Sequence, residues 1–252
     1  IPKIISGKTK NCLKHIKCFF KFIFKKLHST ENLETAEFTK LLENIYRSVN
    51  IGLVNEMKYI AEKLNIDIYD AIMAAKTKPY GFRPFLPGPG VGGHCIPIDP
   101  YFLLWKAKKF GVVSEFIKLS GNVNEITQAR IIKKIQDYLK IKKQKLLNIL
   151  IVGIAYKKNV DDTRESAALK LIQKLKNKNY KIYLYDNYVS QFNSKRITKK
   201  IKKLDFKRDH FDCTVILTDH DNVDYGKIYD QSKKIFDTRF VYKVKDQKIE
   251  RI

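Results

Sequence analysis

Cysteine is scarce in this 252-residue chain: Cys12, Cys18, Cys95 and Cys213. No two form a CxxC pair and no secretory signal is visible, which points to a reducing, cytoplasmic compartment. Spacing and ligand types give no metal site. Acid is also scarce, 26 residues against 50 Lys and Arg, for a net charge of +24. No apolar run approaches the roughly 18 residues of a membrane span. No G-x-G-x-x-G follows an apolar strand, so the dinucleotide fingerprint is absent. Proline is almost confined to one place, with six of the seven between Pro79 and Pro100.

What is present supports a core. Hydrophobic residues make up 44% of the chain, enough to exclude wholesale disorder. The positive balance suggests nucleic acid or an anionic surface. The lysines scatter, however, and do not form one face interleaved with aromatics, so nucleic-acid binding is not the preferred reading. A phosphate-bearing small substrate fits the same charge. "CFFKFIFKKL" (Cys18–Leu27) is basic and amphipathic. It suits a membrane surface, but one buried helix face with lysines outward is the expectation. The chain begins on Ile1, as expected of a segment of a longer protein.

Two textures divide the sequence. "PKIISG" reads as a short strand and turn, Cys12 to Leu27 as a helix, and Ser29–Thr35 as a polar boundary. Phe38, Leu41, Leu42, Ile45, Val49, Leu53, Met57, Ile60 and Leu64 then recur at helical spacing. A second helix is expected near Ile68–Ala75, and helical periodicity resumes over Tyr101–Phe110 and Val123–Leu139. After Lys145 the pattern changes. "NILIVGIAY" (Asn148–Tyr156) is a continuous apolar run, typical of a buried parallel strand. Ala167–Leu175 reads as a helix; Tyr180–Asp186, Cys213–Asp219 and Lys234–Asp237 read as further strands. Strands separated by helices predict a doubly wound, parallel α/β domain. Ligands sit at the carboxyl ends of such strands, so the loops after Ala155, Asp219 and Asp237 should line a site. The predicted units are 1–30, a helical unit 31–140, and an α/β unit 141–252.

The stretch Lys76–Pro100 is too broken for a helix or central strand. It carries "GPGVGGHCIPIDP" with the lone thiol Cys95. Gly92 and Gly93 remove side chains beside it, leaving room for a ligand to approach the backbone. Asp99 follows four residues on. A cysteine nucleophile needs a cation nearby and an acceptor for developing charge; a structural cysteine in a tight turn is the alternative. Lys40 and Asn44, four apart, share a helix face and read either as solvated or as aimed into a cleft. In "YKKNVDDTRES", backbone amides with Lys157, Lys158 and Arg164 suit phosphates at a helix N-terminus. Arg239, in "DTR", adds a guanidinium able to bind two oxygens at once.

Four blocks in this order, "AEFTKLLEN" (Ala36–Asn44), "GPGVGGHCIPIDPYFL" (Gly88–Leu103), "GIAYKKNVDDTRESAALKLI" (Gly153–Ile172) and "DTR" (Asp237–Arg239), resemble the UDP-glucose/GDP-mannose dehydrogenase family. The cysteine block is similar to the branch acting on UDP-N-acetylhexosamines, with Ile98 where the UDP-glucose branch has lysine. The resemblance implies a helical central dimerisation domain followed by a Rossmann-like UDP-sugar domain. It implies oxidation of a sugar C6 alcohol to a carboxylate with NAD, through a thioester on Cys95, for surface polysaccharide. Lys40 and Asn44 would stabilise the oxyanion and position water, and Asp99 would help proton transfer. Gly92, Gly93, Lys157 and Arg239 would hold the UDP-sugar, and Arg164 would lie near the cofactor pyrophosphate. A basic residue, Arg83 or Lys78, would reach across a homodimer. Phe240 stands where the family commonly has asparagine. The expected N-terminal NAD domain, with its glycine motif, is not found, and residues 1–28 look like its tail. A non-catalytic nucleotide-sugar-binding or dimerisation fragment is the alternative, and a basic nucleic-acid binder a third.

Overall fold

The computed structural model describes residues 1–141, 146–175, 179–190, 199–201 and 210–252. A small parallel βαβ unit comes first: β1 (Lys3–Ile5), α1 (Lys10–Lys21) and β2 (Leu27–Ser29). The expected helix to Leu27 stops earlier, because Leu27–Ser29 pair with β1. The expected burial of one face of this segment is met in part. Leu13, Ile16 and Phe20 are half-buried with the lysines of α1 outward, but no residue of α1 is fully buried and Phe19, Phe22 and Ile23 are exposed, since α1 leans chiefly on its own two strands.

Next come α2 (Leu33–Lys63), capped by the Asn32 side chain, and α3 (Ile68–Lys76), capped by Asp67. The proline-rich stretch contains no helix or strand and leads into α4 (Asp99–Lys108). The expected helix over Val123–Leu139 is longer, α5 (Glu115–Ile141). Helices α2 and α5 run side by side in the same direction: Ser48 bonds Ser120 at 3.3 Å, Asn55 bonds Asn124 at 3.2 Å, and Lys134 meets Glu62. Gly52 lies at this contact, where a methyl group would rest in ordinary contact, 3.4 Å from the Ser120 backbone. The second half of α5 leaves α2 and buries Ile131, Ile132, Ile135 and Leu139 against the sheet.

The sheet comprises β3 (Leu147–Val152), β4 (Tyr180–Tyr185), β5 (Lys199–Ile201), β6 (Cys213–Ile216), β7 (Ile235–Asp237) and β8 (Ile249–Arg251). Its order is β5-β4-β3-β6-β7-β8 and every pairing is parallel. This is the doubly wound order, with the chain reversing direction across the sheet between β3 and β6. Ile149, Leu150, Ile151 and Val152 are fully buried, each contributing about 1.5–3 kcal/mol on burial. One face packs against α5 and α6 (Ala167–Lys174), the other against α7 (Tyr225–Gln231). The fold class read from the sequence is therefore the observed one. Two short edge strands, β5 and β8, carried no periodic signal.

Candidate active site

The site is built where the cysteine turn meets the carboxyl ends of the sheet. Gly153, at φ +78°, ends β3 so close to β6 that a methyl group would sit 2.6 Å from the Thr218 carbonyl oxygen. Buried Asp186, just after β4, accepts from the backbone N–H of Ile154 at 2.7 Å and of Ala155 at 3.3 Å. It also accepts from the N–H groups of Tyr188 and Val189, each at 2.9 Å. Burial pushes its carboxyl up, but His220 and these N–H donors outweigh burial and hold it well below the usual range. The Asn159 N–H donates to His220 Nδ1 at 2.9 Å, so His220 Nε2 carries the proton and points at Asp186, 3.2 Å away.

These bonds correct one expectation. Several backbone amides of the β3–α6 loop are already engaged: Ile154 and Ala155 with Asp186, Tyr156 with the Asp162 carbonyl, Asn159 with His220, and Arg164 with the Asp162 carboxylate. Those amides are therefore not free to receive a phosphate. Lys157 is exposed, its ammonium 5.6 Å from the Tyr156 ring. Lys158 is paired with Asp221 at 2.9 Å. Arg239, partly buried, donates Nε to the Leu217 carbonyl at 2.7 Å.

The cysteine turn docks on this loop. Gly93 N–H donates to the Arg164 carbonyl at 3.0 Å. Gly93 has φ +87°, and a methyl group there would strike the Tyr156 ring at 2.7 Å; at Gly92 it would meet the Glu165 carbonyl at 2.9 Å. The two glycines therefore serve first to seat the turn on the sheet domain, a reason the sequence did not reveal. Cys95 is exposed. Its carbonyl accepts from the backbone N–H of Ile98 at 3.1 Å and of Asp99 at 2.8 Å. The Asp99 carboxylate accepts from Asn44 Nδ2 at 2.6 Å, and Arg47 donates to Asn44 Oδ1. Asn44 is fully buried. Asn44, Asp99 and Cys95 are thus joined by one chain of bonds.

Lys40 stands differently. It is exposed and pairs with Glu43 at 3.7 Å, so the shared helix face splits, with Asn44 inward and Lys40 outward. Arg83 is exposed in the proline-rich loop, and among the described residues no hydrogen bond ties it to the cysteine turn. Arg164 grips Asp162 with Nε and Nη2 at 3.0 and 2.6 Å. That grip, then the Arg164 backbone N–H, holds Asp162 at about 2. Sequence reasoning missed Arg47, Tyr156, Asn55 and Asp186. Only Arg47 had a usable signal, three residues after Asn44 on the same helix face.

Comparison with known proteins agrees with this layout. Residues 34–126 match the UDP-glucose/GDP-mannose dehydrogenase family, central domain, and residues 150–244 match the same family's UDP binding domain. The chain belongs to this family. A UDP-N-acetyl-D-mannosamine dehydrogenase from Methanocaldococcus jannaschii is 38% identical over 200 residues, 79% of this chain and 44% of the relative. A UDP-N-acetyl-D-glucosamine 6-dehydrogenase from Salmonella typhi is 30% identical over 226 residues, 87% of this chain and 52% of the relative. Among solved structures, a UDP-D-ManNAc dehydrogenase from Pyrococcus horikoshii superposes with TM-score 0.79 at 32% identity, covering 100% of this chain and 58% of that one. The chain spans about half the length of the curated family members it matches. Among the described residues, no helix is long and apolar enough to cross a membrane.

Proposed function

We propose that this chain forms the central and UDP-binding parts of an NAD-dependent dehydrogenase that oxidises C6 of a UDP-N-acetylhexosamine to the uronate, for surface polysaccharide. The observation that carries this reading is the Asn44–Asp99 side-chain bond at the foot of the exposed Cys95 turn, a turn that docks on the β3–α6 loop through the Gly93 N–H and the Arg164 carbonyl. NAD, when bound, supplies the oxidising equivalents for both steps. Arg164, on leaving Asp162, would face its pyrophosphate, and the turn between β1 and α1 carries Gly7 but no glycine motif to receive one.

In this reading the Cys95 thiolate adds to the C6 aldehyde, forming a thiohemiacetal. Its oxidation gives a thioester, and water then releases the carboxylic acid and the free thiol. Asn44 orients that water, and Asp99 takes its proton. Lys40 leaves Glu43 to face the oxyanion. Lys157 and Arg239 grip the diphosphate, with Gly92 and Gly93 keeping the turn against Tyr156. Arg83 serves the partner's site in a homodimer. Exposed Phe38, Leu42, Leu53, Phe102, Trp105 and Phe116 leave the helical region with an apolar face of the kind that marks an interface.

The test is Cys95→Ser in the full-length enzyme with NAD and UDP-N-acetylmannosamine or UDP-N-acetylglucosamine. Uronate formation should fall by at least about a thousandfold; unchanged turnover overturns the nucleophile assignment. The exposed, Glu43-paired Lys40 favours a second reading, a nucleotide-sugar-binding fragment without catalysis. This chain alone, mixed with NAD and UDP-N-acetylglucosamine, should form no NADH under either reading; steady NADH formation excludes the fragment, and the Cys95→Ser test in the full-length enzyme separates the two.

A further inference from the structure

Outside that site, one buried charge is unaccounted for. Lys58 lies on the inner side of α2, and its Nζ is buried with no hydrogen-bond partner. Among the described residues it is the one charged side chain buried with none of its donors used. Such a group costs several kcal/mol unless something pairs with it. The acids around it are committed elsewhere. Glu62 pairs with Lys134; Glu250 pairs with Lys134 at 3.6 Å and Lys234 at 3.2 Å. Asp237 accepts from the backbone N–H of Arg239 at 2.9 Å and of Tyr242 at 3.0 Å. The Tyr69 ring is 5.8 Å away, too loose to replace a counter-ion.

Lys58 lines two cavities, one of about 310 Å³ beside α3 and one of about 370 Å³ between α2, α5 and the end of β8; the second, walled by further basic residues, is of a size typical of small-ligand pockets. Arg130, stacked 3.6 Å over Tyr59, and Lys133 are exposed along its wall, with Asp137 the acid beside them. The lining holds Lys58, Arg130, Lys133 and Lys134 against Glu62 and Asp137, an excess of two positive charges. We propose that this cavity is a second binding site, for a small molecule bearing an oxyanion, phosphate or carboxylate, that pairs with Lys58 Nζ while Arg130 and Lys133 hold its outer oxygens. Burial brings Lys58 down to about 8, so at pH 7 it is still charged. Gly88 lines the same cavity, donates its N–H to Asn55 at 2.9 Å and abuts Arg239 Nη1. A ligand there bears on the backbone that leads into the cysteine turn. The inference does not depend on the reaction proposed above.

Calorimetric titration with inorganic phosphate, and separately with citrate, tests it at matched chloride concentration. The parent should bind at least one of the two, and the stronger binder identifies the class of oxyanion. Lys58→Met keeps the stem and removes the charge, and should weaken that affinity about thirtyfold. Arg130→Ala with Lys133→Ala, both at the surface, should weaken it about fivefold. Lys108→Ala, on the exposed side of α4 and away from both sites, should bind as the parent does. No binding of either anion by the parent, equal affinity in Lys58→Met, or loss of binding in Lys108→Ala each overturns the site. If Lys58→Met fails to fold, unchanged affinity in the Arg130/Lys133 double variant overturns it.

Discussion

The sheet region and the helical region solve the burial problem in opposite ways. In the sheet region both faces of β3 and β6 are covered, and the polar groups at the strand ends are paired within the chain, with Asp186 as the hub. In the helical region the inner seam between α2 and α5 is partly polar, made of Ser48, Ser120, Asn55 and Asn124, while large apolar side chains face outward. A core made mainly of hydrogen-bonded small residues gains little from apolar burial. The contrast teaches that the sheet region closes its core on both faces, one of them with the help of α5, whereas the helical region leaves its apolar side chains outward.

Three substitutions break or sharpen this contrast. Asp186→Ala should cost the most, about 3–5 kcal/mol by urea unfolding, because it orphans His220 and four N–H groups at once. Its pH dependence has a definite sign. The carboxyl is held below its unfolded value of 3.8, so its contribution is complete above that value and is lost as acid is added through the lower folded value. The gap between parent and variant should therefore be constant from neutral pH down to about 5 and close below it. Gly93→Ala, at the joint between the regions, should cost about 1–3 kcal/mol, from backbone strain and the clash with Tyr156. It should also slow alkylation of Cys95 by iodoacetamide or speed it; an unchanged rate with unchanged stability contradicts the docking role. Phe116→Glu should change unfolding of the single subunit by under about 0.5 kcal/mol. Light scattering should nevertheless show it shifting the assembly to monomer, and a parent that is already monomeric removes the interface.

Legibility followed local pattern. The run from Asn148 announced a central parallel strand because burial on both faces leaves no polar alternation. The order of strands is a long-range property and was not written in any window, although the alternation of strand and helix limited it. Cys95, Asp99 and Asn44 were picked out as candidates and meet in space. Lys40 was picked out with them, but periodicity places positions 40 and 44 on one face, opposite the Phe38/Leu41/Ile45 stripe, and does not say whether that face meets solvent or a cleft. Gly92 and Gly93 were seen as small for a ligand's sake; the Glu165 carbonyl and the Tyr156 ring, each more than sixty residues later, are what require them. Phe240 looked like a defect in a nucleotide pocket. It adopts φ +57° and stacks on Tyr69 at 4.0 Å, with the Arg251 guanidinium 4.6 Å from its ring, so it joins α3 to the sheet region.

Helix α5 is shared property. Its first half lies along α2 and its second half is a wall of the sheet's core, an unbroken rod of about 40 Å. A rod rooted at both ends does not act as a hinge. In the reading proposed above, the opening that admits a sugar nucleotide then does not come from these two regions swinging apart; they travel as one lever, and the gap opens against whatever else the lever faces.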